Sequence, residues 1–583
     1  MFYFSIDFSG KTPVLHLNGD APIIQNDEHV IITDKHFNEN YPGITVYEFL
    51  KNENYSFLSE LHLGFSIIFY NKKNHKLLVF RDLFGIKSMY FSQENKKITI
   101  SDQIKPLVSN NHKSLNKTYI KDYLSFQISD QNISSETFFE NIHRVLPGHI
   151  LTGENGEIKQ IPNEFLGDFK PNEFNFQEIL SEKLKSIRNK FGQVGSYLSG
   201  GLDSGLISIL LNQNSEKYPT FYFKTDAEIT EDEEIAEKIS EINNFPIHKI
   251  SPPEIEIETL KNWASKSMQP ELMLFPAEIF ACINKTGNQK ILLSGHGGDT
   301  IAGDGLEYLD ILFENGEYKN LKNSLFLYYS QKNKAWKKIG YNDPFRDFIT
   351  DYFLKKSFIL YRKKRLIVSF KAIIKLFFAF NLNIFDLFQR IKLRNIVRKL
   401  KTIKHKHKEE IDFAGLFFKN GTAHQNRQFN SNFIGLGIHA LETFGLVDEI
   451  TNTQTLYPLI DQRLLEISLF QSPLEKFAHG RGRGSIRIAL EKIAPDFLTN
   501  RTGKGDFDLL IENIFKKLWD KYGKTLPEDH QVWQFADKNI YNKAIENDSD
   551  PIFTEKINKN DLWYLQRTMY LAIWLEVMES YSS

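Results

Sequence analysis

Two stretches of the chain run from a short apolar strand into a glycine-rich turn, and this repeated pattern limits the fold more than any other feature. Gly195-Ser196-Tyr197-Leu198 reads as a buried strand, Ser199-Gly200-Gly201-Leu202-Asp203-Ser204 as a turn, and Gly205 to Leu211 as the start of a helix. Leu292-Leu293-Ser294-Gly295-His296-Gly297-Gly298-Asp299 repeats the order of strand, glycines and carboxylate, its strand beginning at Lys290. Between them lie TFYF, ending at Phe223, a helical pattern over Asp232 to Asn243, and IHKI. Strands alternating with helices predict βαβ units and a parallel sheet. Such sheets bind ligands at the carboxyl ends of their strands, where both turns fall.

Glycines without a Cβ let the backbone approach an anion, and free N–H groups at a helix N-terminus point at it. The Ser199 and Ser204 hydroxyls add donors. Asp203 would repel a phosphate unless a cation stood between them, which implies magnesium, with Asp299 as a second carboxylate on the pyrophosphate of ATP. The loop lacks the Gly-Lys-Ser/Thr ending of a Walker loop and the GxGxxG of a dinucleotide fold. Either turn alone could be a bare tight turn; two of them after strands of one sheet argue for a site.

Before Pro162 the signals are mostly strands with polar turns (FYFSI, HVIIT, GFSIIFY, KLLVF, SMYFS, KITIS), which predicts antiparallel hairpins. Helical spacing begins at Phe176 to Phe191, and beyond Asp310 the chain reads as helical. The expected architecture is an antiparallel-sheet sandwich over residues 1–165, then an α/β parallel-sheet domain with helical additions over 166–583, including a basic helical region at roughly 310–425.

Charge is balanced overall, 72 Lys and Arg against 73 Asp and Glu, so no nucleic-acid partner is expected. Residues 355–408 are the exception, with 17 cations against Asp386 alone, a local charge of +16. The longest charge-free run there, Leu376 to Phe385, is ten residues, while a spanning helix needs about 20. Two readings stay open: helices with solvated cationic faces, or a surface for an acidic peptide or a peripheral membrane contact. The single cysteine, Cys282, excludes an internal disulfide and Cys-rich metal sites. MFYFSIDFSG lacks the features of a secretory signal, so the cytoplasm is the expected compartment.

SGGLDS, SGHGGD, Tyr457-Pro458-Leu459-Ile460-Asp461-Gln462-Arg463 and Arg487 to Phe507 together resemble the synthetase domain of the asparagine synthetase family. Leu63 to Ser66, Arg81 to Tyr90, Ser101 to Leu107 and Leu146 to His149 resemble its glutaminase domain. The resemblance implies an ATP-dependent, AMP-forming carbon–nitrogen ligase using Mg²⁺. Its nucleotide set would be Leu198, Ser199, Gly200, Gly201, Asp203, Ser204, Phe223, Ser294, Gly295 and Gly297, with Asp203 and Asp299 as metal ligands. Lys504, in Arg501-Thr502-Gly503-Lys504-Gly505-Asp506-Phe507, matches a family lysine that contacts the acyl-adenylate, with one extra residue after the arginine.

Two departures bear on the substrate. Glutamine-hydrolysing relatives carry a nucleophilic cysteine where this chain has Phe2, and the family's Asn-Gly-Glu-Ile-Tyr-Asn segment is missing, so no glutaminase activity is expected. His296 stands where asparagine synthetases have glutamate and β-lactam synthetase has tyrosine; SGHGGD is most similar to lasso peptide cyclases. A histidine there suits proton removal from an amine that the substrate brings itself, although a polar turn residue remains the alternative. That resemblance implies a precursor peptide as substrate, with a leader peptidase and a leader-recognition protein as further partners. An ammonia-dependent asparagine synthetase, a β-lactam-forming enzyme and a silent nucleotide- or peptide-binding scaffold are the competing readings.

Overall fold

The computed structural model describes residues 2–582 except 11–12, 43–45, 53, 109–113, 168, 172–173, 214–215, 226–229, 274–275, 288, 338–343, 363–365, 401–409, 503–507 and 547–558. The N-terminal strands are β1 (Phe2–Asp7), β2 (Val14–Gly19), β3 (Ile23–Gln25), β4 (His29–Thr33), β5 (Ser66–Asn71), β6 (Lys76–Arg81), β7 (Tyr90–Glu94), β8 (Lys97–Ser101), β9 (Ile142–Arg144), β10 (His149–Glu154) and β11 (Glu157–Pro162). They form two antiparallel sheets, ordered β2-β1-β8-β7-β9 and β11-β10-β6-β5-β4-β3. Alternation decides which side chains meet between the sheets: Phe4 and Ile6 of β1 and Ile98 and Ile100 of β8 pack against Ile68 of β5 and Val79 of β6. The opposite face of the second sheet, with Ile67, Phe69, Leu78 and Phe80, belongs to a core that continues into the C-terminal region.

That region holds a parallel sheet of β12 (Val194–Tyr197), β13 (Thr220–Phe223), β14 (Ile247–Ile250), β15 (Ile291–Leu293) and β16 (Gln454–Leu456), ordered β14-β13-β12-β15-β16. The Phe176–Phe191 helix begins where its spacing predicts, closed by a capping box between Asn175 and Glu178. The predicted strands and the Glu231–Asn243 helix are present to within a residue. One boundary is corrected: the helix after β12 starts at Leu202, not Gly205, because Gly201 already serves as its N-cap. Asp203 and Ser204 therefore sit in the first helical turn. β16 was not anticipated; three residues carry too little periodicity to announce a strand, and only pairing with β15 makes it one.

Apart from β16, the described residues after Asp310 are mostly helical, as expected. Its basic part comprises the Pro344–Arg362, Leu366–Ala379 and Ile384–Leu400 helices, packed on a small core of Leu309, Leu321, Phe353, Leu376 and Phe380.

Candidate functional site

β12 and β15 are neighbours, with Val194 opposite Ile291 and Ser196 opposite Leu293, so their two glycine turns leave the same edge of the sheet side by side. Gly200 has φ +72°, and a Cβ there would stand 2.3 Å from the Asp232 carbonyl oxygen, so only glycine fits. A Cβ on Gly295 would lie 2.8 Å from the Ser204 backbone nitrogen. The second loop is thus pressed against the start of the Leu202–Leu211 helix. Ser199 N–H donates to Ser204 Oγ at 3.1 Å, and the two hydroxyls lie 3.0 Å apart. No side chain caps that helix, which leaves its first amides to an anion. Leu198 is buried and donates its N–H to Phe221, and Phe223 ends the adjacent strand. Ser294, Gly295 and Gly297 line the second turn; Ser294 N–H bonds the Leu456 carbonyl, and Gly297 caps the Gly298–Ala302 helix.

The cation that faces Asp203 is Arg483, whose Nη1 is 2.9 and 3.2 Å from the two carboxylate oxygens. Burial works against the Arg483 charge, yet Asp203, Asp299 and Asp304 outweigh it and hold the guanidinium charged beyond its usual range. Arg501 bonds the Gly200 carbonyl and pairs with Asp232, bridging the first turn to the next helix. Arg487 donates to the carbonyls of Gly482, Thr499 and Arg501, and burial together with Arg481 and Arg483 pushes it down to about 10. Arg483 and Arg501 thus gather beside the uncapped start of the Leu202–Leu211 helix, the electrostatic form of an anion site. Sequence reasoning missed Arg483, although the alternation Gly480-Arg481-Gly482-Arg483-Gly484 was a visible signal.

Among the described residues, no group of three His, Cys, Asp or Glu side chains could cage a metal by itself. Asp203 and Asp299 nevertheless fit magnesium as it usually binds, through one or two carboxylates with phosphate and water completing the shell. Both carboxylates act on Arg483, and the Asp203 Cγ would be 2.7 Å from a Cβ on Gly298, next to Asp299.

His296 is half-buried, its N–H on Ser294 Oγ at 3.2 Å and its ring edge-on to Phe444 and Tyr457 at 5.9 and 6.1 Å. Tyr457 opens the motif that follows β16; in the same motif Asp461 is buried on Lys183 at 3.0 Å. Lys504 lies outside the described residues. A cavity between the sandwich and the parallel sheet reaches Tyr457 on one side and Asp102 on the other.

The start of the sandwich is packed shut. The Phe2 ring is 4 % exposed, and its N–H donates to Asp102 at 2.9 Å. No cysteine occurs in the sandwich, Cys282 lying between β14 and β15. The sandwich is tied to the C-terminal region through Glu442, which accepts from Arg144 at 2.7 and 3.1 Å and from Arg81 at 3.3 Å, all three side chains buried.

Residues 175–364 and 448–576 match a family model described as asparagine synthase, and 45–165 match a glutamine amidotransferase domain model. The chain is similar to the amidase chry2 of Gibberella zeae, 26% identical over 183 residues, 28% of this chain and 26% of that protein. It is also similar to two glutamine-hydrolyzing asparagine synthetases of Bacillus subtilis. The first is 26% identical over 258 residues, covering 42% of this chain and 40% of the relative; the second is 21% identical over 335 residues, 51% and 44%. The chain spans under half the length of these curated relatives.

Proposed function

The chain belongs to the asparagine synthase family, and from that premise we propose that it is an ATP-dependent, AMP-forming amide ligase that closes a macrolactam within a peptide. A carboxylate of the precursor, an Asp or Glu side chain, attacks the α-phosphate of ATP and expels pyrophosphate. The peptide's own α-amine then attacks the acyl-adenylate and expels AMP. The observation that carries this reading is the meeting of the two glycine turns over Asp203, next to a sandwich that contains no cysteine to release ammonia.

The roles follow from the chemistry of each group. The amides at the start of the Leu202–Leu211 helix and the Ser199 and Ser204 hydroxyls hold phosphate oxygens. Arg483 and Arg501 supply fixed positive charge beside them, and Lys504 is assigned the same task toward the adenylate by its motif. Asp203 and Asp299 would hold magnesium, which when bound would supply charge neutralisation for pyrophosphate. His296 takes the proton of the attacking amine, its ring oriented by Phe444 and Tyr457. The histidine in place of glutamate favours a peptide amine over ammonia. On this reading a leader peptidase and a leader-recognition protein work with the enzyme in the cytoplasm.

The test is incubation of the purified protein with ATP, Mg²⁺ and the precursor peptide encoded beside its gene, leader removed. AMP, pyrophosphate and a peptide lighter by one water are expected. Asparagine formed from aspartate and ammonia, with the peptide unchanged, would replace this reading with an asparagine synthetase.

A further inference from the structure

The Leu366–Ala379 and Ile384–Leu400 helices lie outside both matched family regions and carry none of the site residues. Leu376 and Phe380 turn inward to the local core. Phe370, Ile374 and Phe378, spaced four apart, form the opposite face of the same helix, and Ile384, Phe385 and Phe388 repeat that face on the next one. The four phenyl rings are 65 to 70 % exposed. Lys371, Lys375 and Lys392 are exposed on the same two helices. The single acid, Asp386, is engaged by Arg346 at 2.7 Å.

We propose that this helix pair is an interfacial anchor that seats the protein on a bilayer containing anionic phospholipid. Apolar rings flanked by lysines are the chemistry of a helix lying at the headgroup boundary, its rings among acyl chains and its cations among phosphates. An acidic peptide would satisfy the charge but not the rings. A groove that receives a peptide half-covers its lining, whereas these rings project from the surface. Nor does the pair cross a bilayer. Ser369–Ala379 and Ile384–Lys392 are bent by 104°, and 11 helical residues reach only about 16 Å of a core about 30 Å thick. Among the described residues no single helix is long and apolar enough to cross a membrane. The anchor stands independently of the ligase reading.

The experiment is co-sedimentation of the full chain with vesicles of phosphatidylcholine alone or with about a third phosphatidylglycerol. Retention on the anionic vesicles, at least tenfold tighter than on the neutral ones and weakened by salt, is expected. Lys371→Gln, Lys375→Gln and Lys392→Gln should each weaken it roughly fivefold. Phe378→Ser with Phe385→Ser and Phe388→Ser should weaken it about a hundredfold or more at unchanged melting temperature. In the unaltered protein, anionic vesicles should slow amide exchange over Ser369–Ala379 and Ile384–Lys392. Failure to bind anionic vesicles, retention that ignores the phenylalanine changes, unchanged exchange in the helices, or binding to polyglutamate in place of vesicles would each overturn the proposal.

Discussion

At the N-terminal end of β1, Phe2 fills its surroundings with a buried ring and its amide is satisfied by Asp102; at the carboxyl ends of β12 and β15, two glycine turns press together, no side chain caps the helix that follows the first, and Arg483 pairs with Asp203 there. Both regions are well-packed β structure, and the comparison teaches that packing and chemistry are separable. The sandwich keeps its fold because Phe4, Ile6, Ile68 and Val79 need no nucleophile to pack. It is joined to the C-terminal region by the shared core and by two buried guanidinium groups on Glu442.

The comparison breaks first at the phosphate turns. Asp203→Asn should lower substrate-dependent ATP–pyrophosphate exchange by about 10³-fold or more while the melting curve holds. Retained exchange would mean that the turns are as inert as the sandwich. Glu442→Gln should cost about 3–5 kcal/mol in urea denaturation, since it leaves Arg81 and Arg144 buried without their charge partner. Burial alone would raise the Glu442 carboxyl; Arg144, His439 and Arg81 more than reverse that and hold it well below its ordinary 4.5. Its contribution is therefore complete above about pH 4.5 and is lost progressively as pH falls toward the depressed value, a loss that Glu442→Gln should abolish.

His296→Ala should slow amide formation by about 10²-fold yet spare exchange. Equal loss of both would move His296 into the nucleotide site. Asp102 gives a smaller effect with the opposite sign to Glu442: burial raises it from 3.8 to about 6, so the folded state favours its protonated form. That contribution is present at low pH and lost as pH rises through about 6. Asp102→Asn should then stabilise the protein at pH 7 by about 1–2 kcal/mol and not at pH 4, in thermal melts at the two pH values. The smallest expected effect is none at all: glutamine added to the purified protein should release no glutamate above a heat-killed control.

Strand alternation, the capping box at Asn175 and Glu178 and the two glycine turns were legible because each depends on residues a few positions apart. The start of the helix at Leu202 was misread by three residues, since whether Gly201 caps a helix or extends a turn depends on the second loop packed against it. β16 was invisible for a similar reason.

The sequence by itself determined the alternation of strands and helices after residue 176, the glycines of the two turns, the absence of a cysteine from the sandwich and the concentration of charge in residues 355–408. Only the tertiary structure decided that Arg483 meets Asp203 across 280 positions, that Arg144 meets Glu442 across 298, and that Phe378 faces out while Leu376 faces in. Local preferences act through neighbours on the same turn or strand, but a buried charge is tolerable only beside its partner, and the partner arrives with whichever distant segment the packed core brings there.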